Sequence, residues 1–243
     1  MNYSIVANRL DGNIPVELAS LSNLKALWME DNTLTGSLPT ELATLSQLEL
    51  LDVSDNFISG TLPSEYGSNL PVLEIFNANF NEITGSIPTQ FGMKSQLVQL
   101  ALIFNQLVGE IPTEIGLIKS LDMIDLQANQ LESTIPTELG QLENLSRLYI
   151  EENNLTGTVP SEIGLLTNLQ DLYLHVNRLT GTVPPEFQSL AGNLTILLLH
   201  DNDLVGSLDE VFCDSMDEIA FELEADCVGE EPLIKCSCCS VCH

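Results

Sequence analysis

Apolar positions recur along this chain at a fixed interval. In "NLSRLYIEENNLTGTVP", Leu145, Leu148 and Ile150 stand eight, five and three residues before Asn153, and each neighbouring stretch of the chain repeats the pattern. Aligned on the asparagine, the register runs Asn8, Asn32, Asn56, Asn81, Asn105, Asn129, Asn153, Asn177 and Asn202, with spacings of 24, 24, 25, 24, 24, 24, 24 and 25. The apolar–polar–apolar alternation just before each asparagine predicts a short strand. Strands of successive turns then stack in parallel about 4.8 Å apart. The inward side chains of one turn bury only against those of the next, so the core is continuous and a single turn cannot fold alone.

The polar positions of the repeat have jobs of their own. A buried Asn carries both donors and acceptors, so a column of them can satisfy backbone groups where the chain leaves the strand. Four residues later comes Gly in eight of the nine turns, with Ser133 in the remaining one, and Gly permits an unusual backbone at the bend. Seven residues after the Asn comes Pro, from Pro15 to Pro184, which fixes φ and is expected to open a short helical turn on the outer side.

These residues resemble the plant-type leucine-rich repeat, LxxLxxLxLxxNxLxGxIPxxLGxL, over residues 1 to about 208. The resemblance implies an α/β solenoid: a right-handed superhelix with a concave parallel β-sheet and short helical or 3-10 convex segments. It also implies a recognition scaffold, as in receptor ectodomains and secreted inhibitor proteins. The departures are modest. Ser133 replaces Gly, two repeats carry one extra residue, and Asp209 stands where the ninth repeat would have Pro. The expected organisation is nine repeats of 24–25 residues over 1–208, the first truncated, followed by an acidic, Cys-rich cap over 209–243. The first turn is incomplete and no polar N-terminal cap precedes it, so the expectation is a fragment of a longer chain lacking its signal peptide.

Composition narrows the partners. Thirty-five acidic residues face 7 basic ones in 243, a formal charge of −28. Nucleic acid and anionic membrane both require a cationic face and are excluded as partners. No apolar run approaches the roughly 18 residues needed to span a bilayer. Basic proteins, peptides, neutral glycans and cations remain, beside a plainer reading in which the acids keep a repetitive surface soluble and monomeric.

All six cysteines fall near the C-terminus: Cys213, Cys227, Cys236, Cys238, Cys239 and Cys242. An even count at one end of a solenoid reads as a disulfide-stapled cap and an oxidising compartment, with fifteen pairings open. The segment "AFELEADC" alternates like one more strand. The ending also resembles the Cys-rich caps of diatom leucine-rich repeat proteins. The competing reading, soft zinc ligands from Cys236 to His243, is weaker because the donors crowd one loop without a second, well-spaced pair. No metal and no cofactor is therefore expected. Sequons at Asn2, Asn144, Asn154 and Asn193 fit an extracellular or cell-surface setting with N-glycosylation.

The strand period leaves three columns facing solvent on the concave side, at four, two and one residues before each Asn. The motif does not dictate these positions, so they carry whatever specificity exists. The candidate ligand-binding set is Trp28, Glu30, Asp52, Phe80, Phe104, Asp125, Tyr149, Glu151, Tyr173, His175, Leu198 and His200. Aromatic side chains beside charged ones suit a binding hot spot. A packing role, tucked toward the turn, stands beside this for Phe80 and Phe104. For His175 and His200 the plain expectation is solvated side chains, with a pH-sensitive or metal-binding pair as the sharper alternative. A column of acids two residues after each Pro is read as Glu favouring the positive end of a short helix, rather than as a calcium site.

The sequence has no phosphate loop, HExxH motif, nucleophile elbow or kinase motif. The expected function is a non-catalytic recognition module binding a protein, peptide or glycan on the concave face. The alternative is a structural or surface-coat array with no specific ligand.

Overall fold

A computed structural model describes the protein over residues 1–213, 221–229 and 233–243; residues 214–220 and 230–232 of the expected cap lie outside that description. Eleven parallel strands form one sheet, each bonded to the strand of the next turn. They run from Asn2–Ser4 and Ala26–Trp28 to Ile196–Leu198, Glu222–Ala225 and Val241–Cys242. The "AFELEADC" stretch supplies Glu222–Ala225, which pairs with Ile196–Leu198 in the register Leu197↔Leu223 and Leu198↔Glu224.

The middle residue of each repeat strand is the inward one. Leu27, Leu51, Phe76, Leu100, Ile124, Leu148, Leu172 and Leu197 are all fully buried or nearly so, and they stack on one another across the turns. Each such side chain contributes on the order of 2 kcal/mol of apolar burial, but only while its neighbouring turn is present.

On the outer side the chain makes one short 3-10 turn per repeat, for example Thr137–Gln141 and Ser161–Leu165. The proline sits one residue before the turn rather than inside it: Pro136 has φ −64° and ψ 132°. Its ring fixes the extended approach to the helix, and Glu in the first turn follows it. The two 25-residue repeats absorb their extra residue here. One widens its turn into the α-helix Ser64–Asn69, and the other lengthens it to Pro185–Leu190. Strand register is preserved because only the convex side is free to change length.

Close packing of the outer turns explains the Gly of the LGxL segment. A Cβ built on Gly140 would stand 2.3 Å from the carbonyl oxygen of Glu162 in the following turn. At the bend after each Asn the backbone is left-handed, and Ser133, at φ 77°, adopts the same conformation as its Gly counterparts.

The Cys-rich C-terminal segment carries three disulfides, Cys213–Cys238, Cys227–Cys242 and Cys236–Cys239. No helix among the described residues is long and apolar enough to cross a membrane.

Candidate ligand-binding face

The asparagine column sets the shape of the face. Asn153 Nδ2 donates to the carbonyls of Leu126, Ile150 and Glu151, while its Oδ1 accepts the backbone N–H of Leu131. Asn32, Asn56, Asn81, Asn105 and Asn129 are buried and repeat the pattern; Asn177 and Asn202 repeat it half-buried. Asn8 reaches only the nearby carbonyls of Ile5 and Val6.

The residue immediately before each Asn takes a left-handed backbone: Asp31 (φ 56°), Phe80 (52°), Phe104 (49°) and Val176 (52°) are examples. This conformation is uncommon for side chains that are not Gly, Asn or Asp. It turns the side chain outward rather than under the bend. Phe80 and Phe104 are accordingly 45% and 47% exposed, and their rings stack at 5.1 Å. The packing alternative for this pair does not describe them.

At the N-terminal end, Trp28 and Glu30 are half-buried and Asp52 is tied into its own surroundings. Asp52 accepts from the Ser54 hydroxyl at 2.6 Å and from Asn77 Nδ2 at 2.9 Å. Burial raises the Glu30 carboxyl above the ordinary range, and the nearby charges of Asp52 and Asp31 add to it. Burial likewise raises Asp55, helped by Asp31 and Asp52.

The C-terminal half gathers the aromatic residues into one row. Tyr149 and Tyr173 face each other at 4.6 Å, Tyr173 meets His175 edge-on at 6.0 Å, and His175 stacks on His200 at 4.6 Å. Strand register brings them together, with Tyr149 opposite Tyr173 and Tyr173 opposite Leu198. The Tyr149 hydroxyl donates to Asp171 at 2.9 Å, which fixes its ring. Leu198 is half-buried at the end of the row.

Two expectations need correcting. Asp125 and Glu151 lie on the concave side but are only 4% and 3% exposed, not solvated. Asp125 sits opposite Ala101 and Tyr149 in the sheet, a position the adjacent turns cover. Burial pushes Asp125 up to about 6 and Glu151 up to about 8, the latter with help from the charges of Asp125 and Glu152. The histidines are not plain solvated side chains either. Burial lowers both His175 and His200 below the usual imidazole value, and each Nδ1 is buried without a hydrogen bond.

Sequence reasoning missed two members of this face, Glu224 and His243. His243 stacks on His200 at 3.9 Å, and its Nε2 lies 2.7 Å from Glu224 Oε2. The alternation of "AFELEADC" contained the signal for Glu224, since Leu223 points inward and its neighbours outward. His243 enters the sequence reading only as the last donor of the Cys236–His243 run, and nothing local places it on this face.

Of the expected glycosylation sites, Asn144 and Asn193 are exposed and Asn154 is half-buried. Asn144 Nδ2 donates to the Lys119 carbonyl and Asn193 Nδ2 to the Thr167 carbonyl. The predicted cysteines are all paired, so the zinc-ligand reading of that loop does not describe them. A cleft of about 550 Å³ opens between the outer turns that carry Pro160, Pro184 and Pro185, a shallow groove of the kind the solenoid repeats, and one of about 580 Å³ lies between Pro185 and the C-terminal residues Glu210, Leu233 and Lys235. Neither is lined by an aromatic side chain.

The Leucine Rich Repeat family model matches residues 23–45, 47–69, 144–166 and 168–190. No curated protein matches the chain in sequence. Among solved structures, the plant peptide hormone receptor RGFR1 in complex with RGF2 is 38% identical, with a TM-score of 0.82, over 86% of this chain and 33% of that one. The ectodomain of the Arabidopsis thaliana receptor kinase GASSHO1/SCHENGEN3, in complex with Casparian strip integrity factor 2, is 36% identical, with a TM-score of 0.86, over 91% and 26%. A plant ice-binding protein is 26% identical, with a TM-score of 0.76, over 97% and 75%. The chain thus spans about a third or less of the two receptor ectodomains. With its asparagine ladder, parallel sheet and family-model repeats, this chain is a leucine-rich repeat protein whose fold is that of the plant receptor ectodomains.

Proposed function

We propose that the chain is a non-catalytic, extracellular recognition module that binds a peptide along the concave face, with residues 209–243 closing the solenoid as its cap. The observation that carries this reading is the row Tyr149, Tyr173, His175 and His200, four rings in mutual contact at positions the repeat motif leaves free. Such rings supply large contact area at low entropic cost. The likeness to the peptide hormone receptor RGFR1 supports the peptide class over glycan. The charge of −28 favours a basic peptide, whose approach it would steer. Paired cysteines support an oxidising compartment.

The test is selection of a displayed random peptide library on the immobilised full chain, followed by affinity measurement against a Tyr149→Ala/Tyr173→Ala variant. Enriched basic peptides that lose roughly tenfold or more in affinity for the variant support the reading. Peptides held equally by both chains would overturn it.

A repeat array without a specific ligand is the second reading, and the likeness to a plant ice-binding protein favours it. A regular surface of Thr or Asn would be needed. The column just before the bend reads Asp11, Thr35, Ser59, Thr84, Val108, Glu132, Thr156, Thr180 and Val205, with Thr at only four of nine positions and Asn at none. Thermal hysteresis of a frozen solution of the chain is the measurement that would promote this reading.

A further inference from the structure

The seam between the last repeat and the cap collects three donor groups that neither the core nor the asparagine ladder uses. His200 follows the strand Ile196–Leu198, Glu224 lies in Glu222–Ala225, and His243 follows Val241–Cys242; these strands are consecutive neighbours in the sheet. The backbone holds the last of them in place, since His243 N–H donates to the Ala225 carbonyl at 2.9 Å. The Cys227–Cys242 disulfide ties down the adjoining residue.

Geometry brings the donors to one point. Glu224 Oε2 stands 2.7 Å from His243 Nε2 and 3.3 Å from His200 Nδ1. One nitrogen from each ring and the carboxylate oxygen all lie within 4.8 Å of one another. Tetrahedral zinc, with bonds of about 2.0–2.1 Å to such ligands, requires donors roughly 3.3 Å apart. The separations here lie around that spacing; because the His200 and His243 rings stack nearly parallel at 3.9 Å, one ring must turn about its side-chain bonds for both lone pairs to meet an ion.

Two further observations point to a ligand. His200 Nδ1 is buried without a hydrogen bond, its 3.3 Å approach to Glu224 Oε2 being an ion-pair contact. A buried ring nitrogen left open is costly unless a proton or a metal fills it. The opposite nitrogen, Nε2, faces Asp201 Oδ2 at 4.0 Å. At that distance Asp201 adds negative charge on the outer side of the ring without a hydrogen bond to it. The three side chains are 12%, 16% and 37% exposed for His200, Glu224 and His243, so the site is sheltered yet reachable from solvent.

We propose that His200, Glu224 and His243 bind one zinc ion, with a fourth coordination position open to the concave face. Three protein donors and an open position are the ligand count of zinc sites that take a further ligand. The aromatic row ends at this point through the His175–His200 stack, so a donor carried by a bound molecule would reach the ion from the same surface.

The test is calorimetric titration of the disulfide-intact full chain with zinc chloride in chelator-cleaned buffer, together with native mass measurement. One zinc per chain is expected, removable by a chelator. Its affinity should fall roughly tenfold or more in His200→Ala and in His243→Ala, while Glu222→Gln, an exposed acid on the same strand as Glu224, stays within about threefold. His243 is exposed, so its variant is expected to keep the fold. Zinc should raise the unfolding midpoint of the native chain and not that of His243→Ala, and cobalt(II) should give a tetrahedral absorption spectrum. Absence of stoichiometric zinc would overturn the proposal. Equal affinity in His243→Ala would also do so, because it would mean diffuse association with the acidic surface. No organic ligand enters this experiment, so its failure is separable from failure of the peptide reading.

Discussion

Asn153 reaches back 22 residues to accept the backbone N–H of Leu131 at 2.9 Å, while its amide donates to three carbonyls in two turns. One side chain therefore closes the backbone hydrogen bonding of a buried bend. Truncation to Ala strands an N–H and several carbonyls away from water. Each stranded group costs about 1–3 kcal/mol, so Asn153→Ala is expected to lose roughly 3 kcal/mol or more in denaturant unfolding. The equivalent change at Asn8, which is exposed and makes only local contacts, should cost well under half as much. Equal losses at both positions would contradict the ladder account.

Glu151 should make stability fall as pH rises. Its folded carboxyl is raised from 4.5 to about 8, chiefly by burial, so the folded chain binds more protons than the unfolded one between those values. The cost is absent below pH 4.5, grows through the window and is fully present above about 8. Glu151→Gln should match the wild type near pH 4 and exceed it on the order of 3 kcal/mol at pH 8. Chemical denaturation of both chains across pH 4 to 9 checks this, and a pH-independent difference would refute it.

Lys94 replaces the leucine or isoleucine found at the same point in Leu45, Ile118, Leu142 and Leu166. It is buried, and its ammonium donates to the carbonyl of Leu70. That carbonyl follows the widened turn Ser64–Asn69 and otherwise accepts only a long 3.4 Å bond from Leu73. Burial lowers the Lys94 ammonium from 10.5 to about 8. Here the unfolded chain binds more protons, so the penalty is full below pH 8 and fades as pH rises toward 10.5. Lys94→Met is expected to be about 1–2 kcal/mol more stable at pH 7, after allowing for the lost bond to Leu70. The advantage should shrink steadily between pH 8 and 10. An advantage that grows with pH would reverse the argument.

The recurrence of Asn, Gly and Pro, with three inward residues before each Asn, was enough to read the parallel sheet and the outer turns. A period repeated nine times leaves one arrangement in which every inward Leu finds a neighbour, so local pattern and global fold coincide. The insertion sites were visible as 25-residue spacings. Their accommodation in Ser64–Asn69 and Pro185–Leu190 was not, because it depends on which side of the solenoid has room. The left-handed residue before each Asn had no reliable signature, since Phe80, Ala128, Glu152 and Val176 all occupy it. Its backbone is imposed by the ladder rather than chosen by the side chain.

Sequence by itself determined the sheet, the core, the ladder and the columns from which any binding face must be drawn, because strand period and repeat length are local, additive properties. Only the tertiary structure decided the chemistry of that face. Exposure of Asp125 and Glu151 depends on what leans over them from adjacent turns. The ionisation of His200 and the meeting of His200, Glu224 and His243 depend on how the cap's disulfide-tied strands dock on the last repeat. Those are contacts between segments that share no period. Desolvation and ligand geometry are set by such contacts, over distances the linear pattern does not encode.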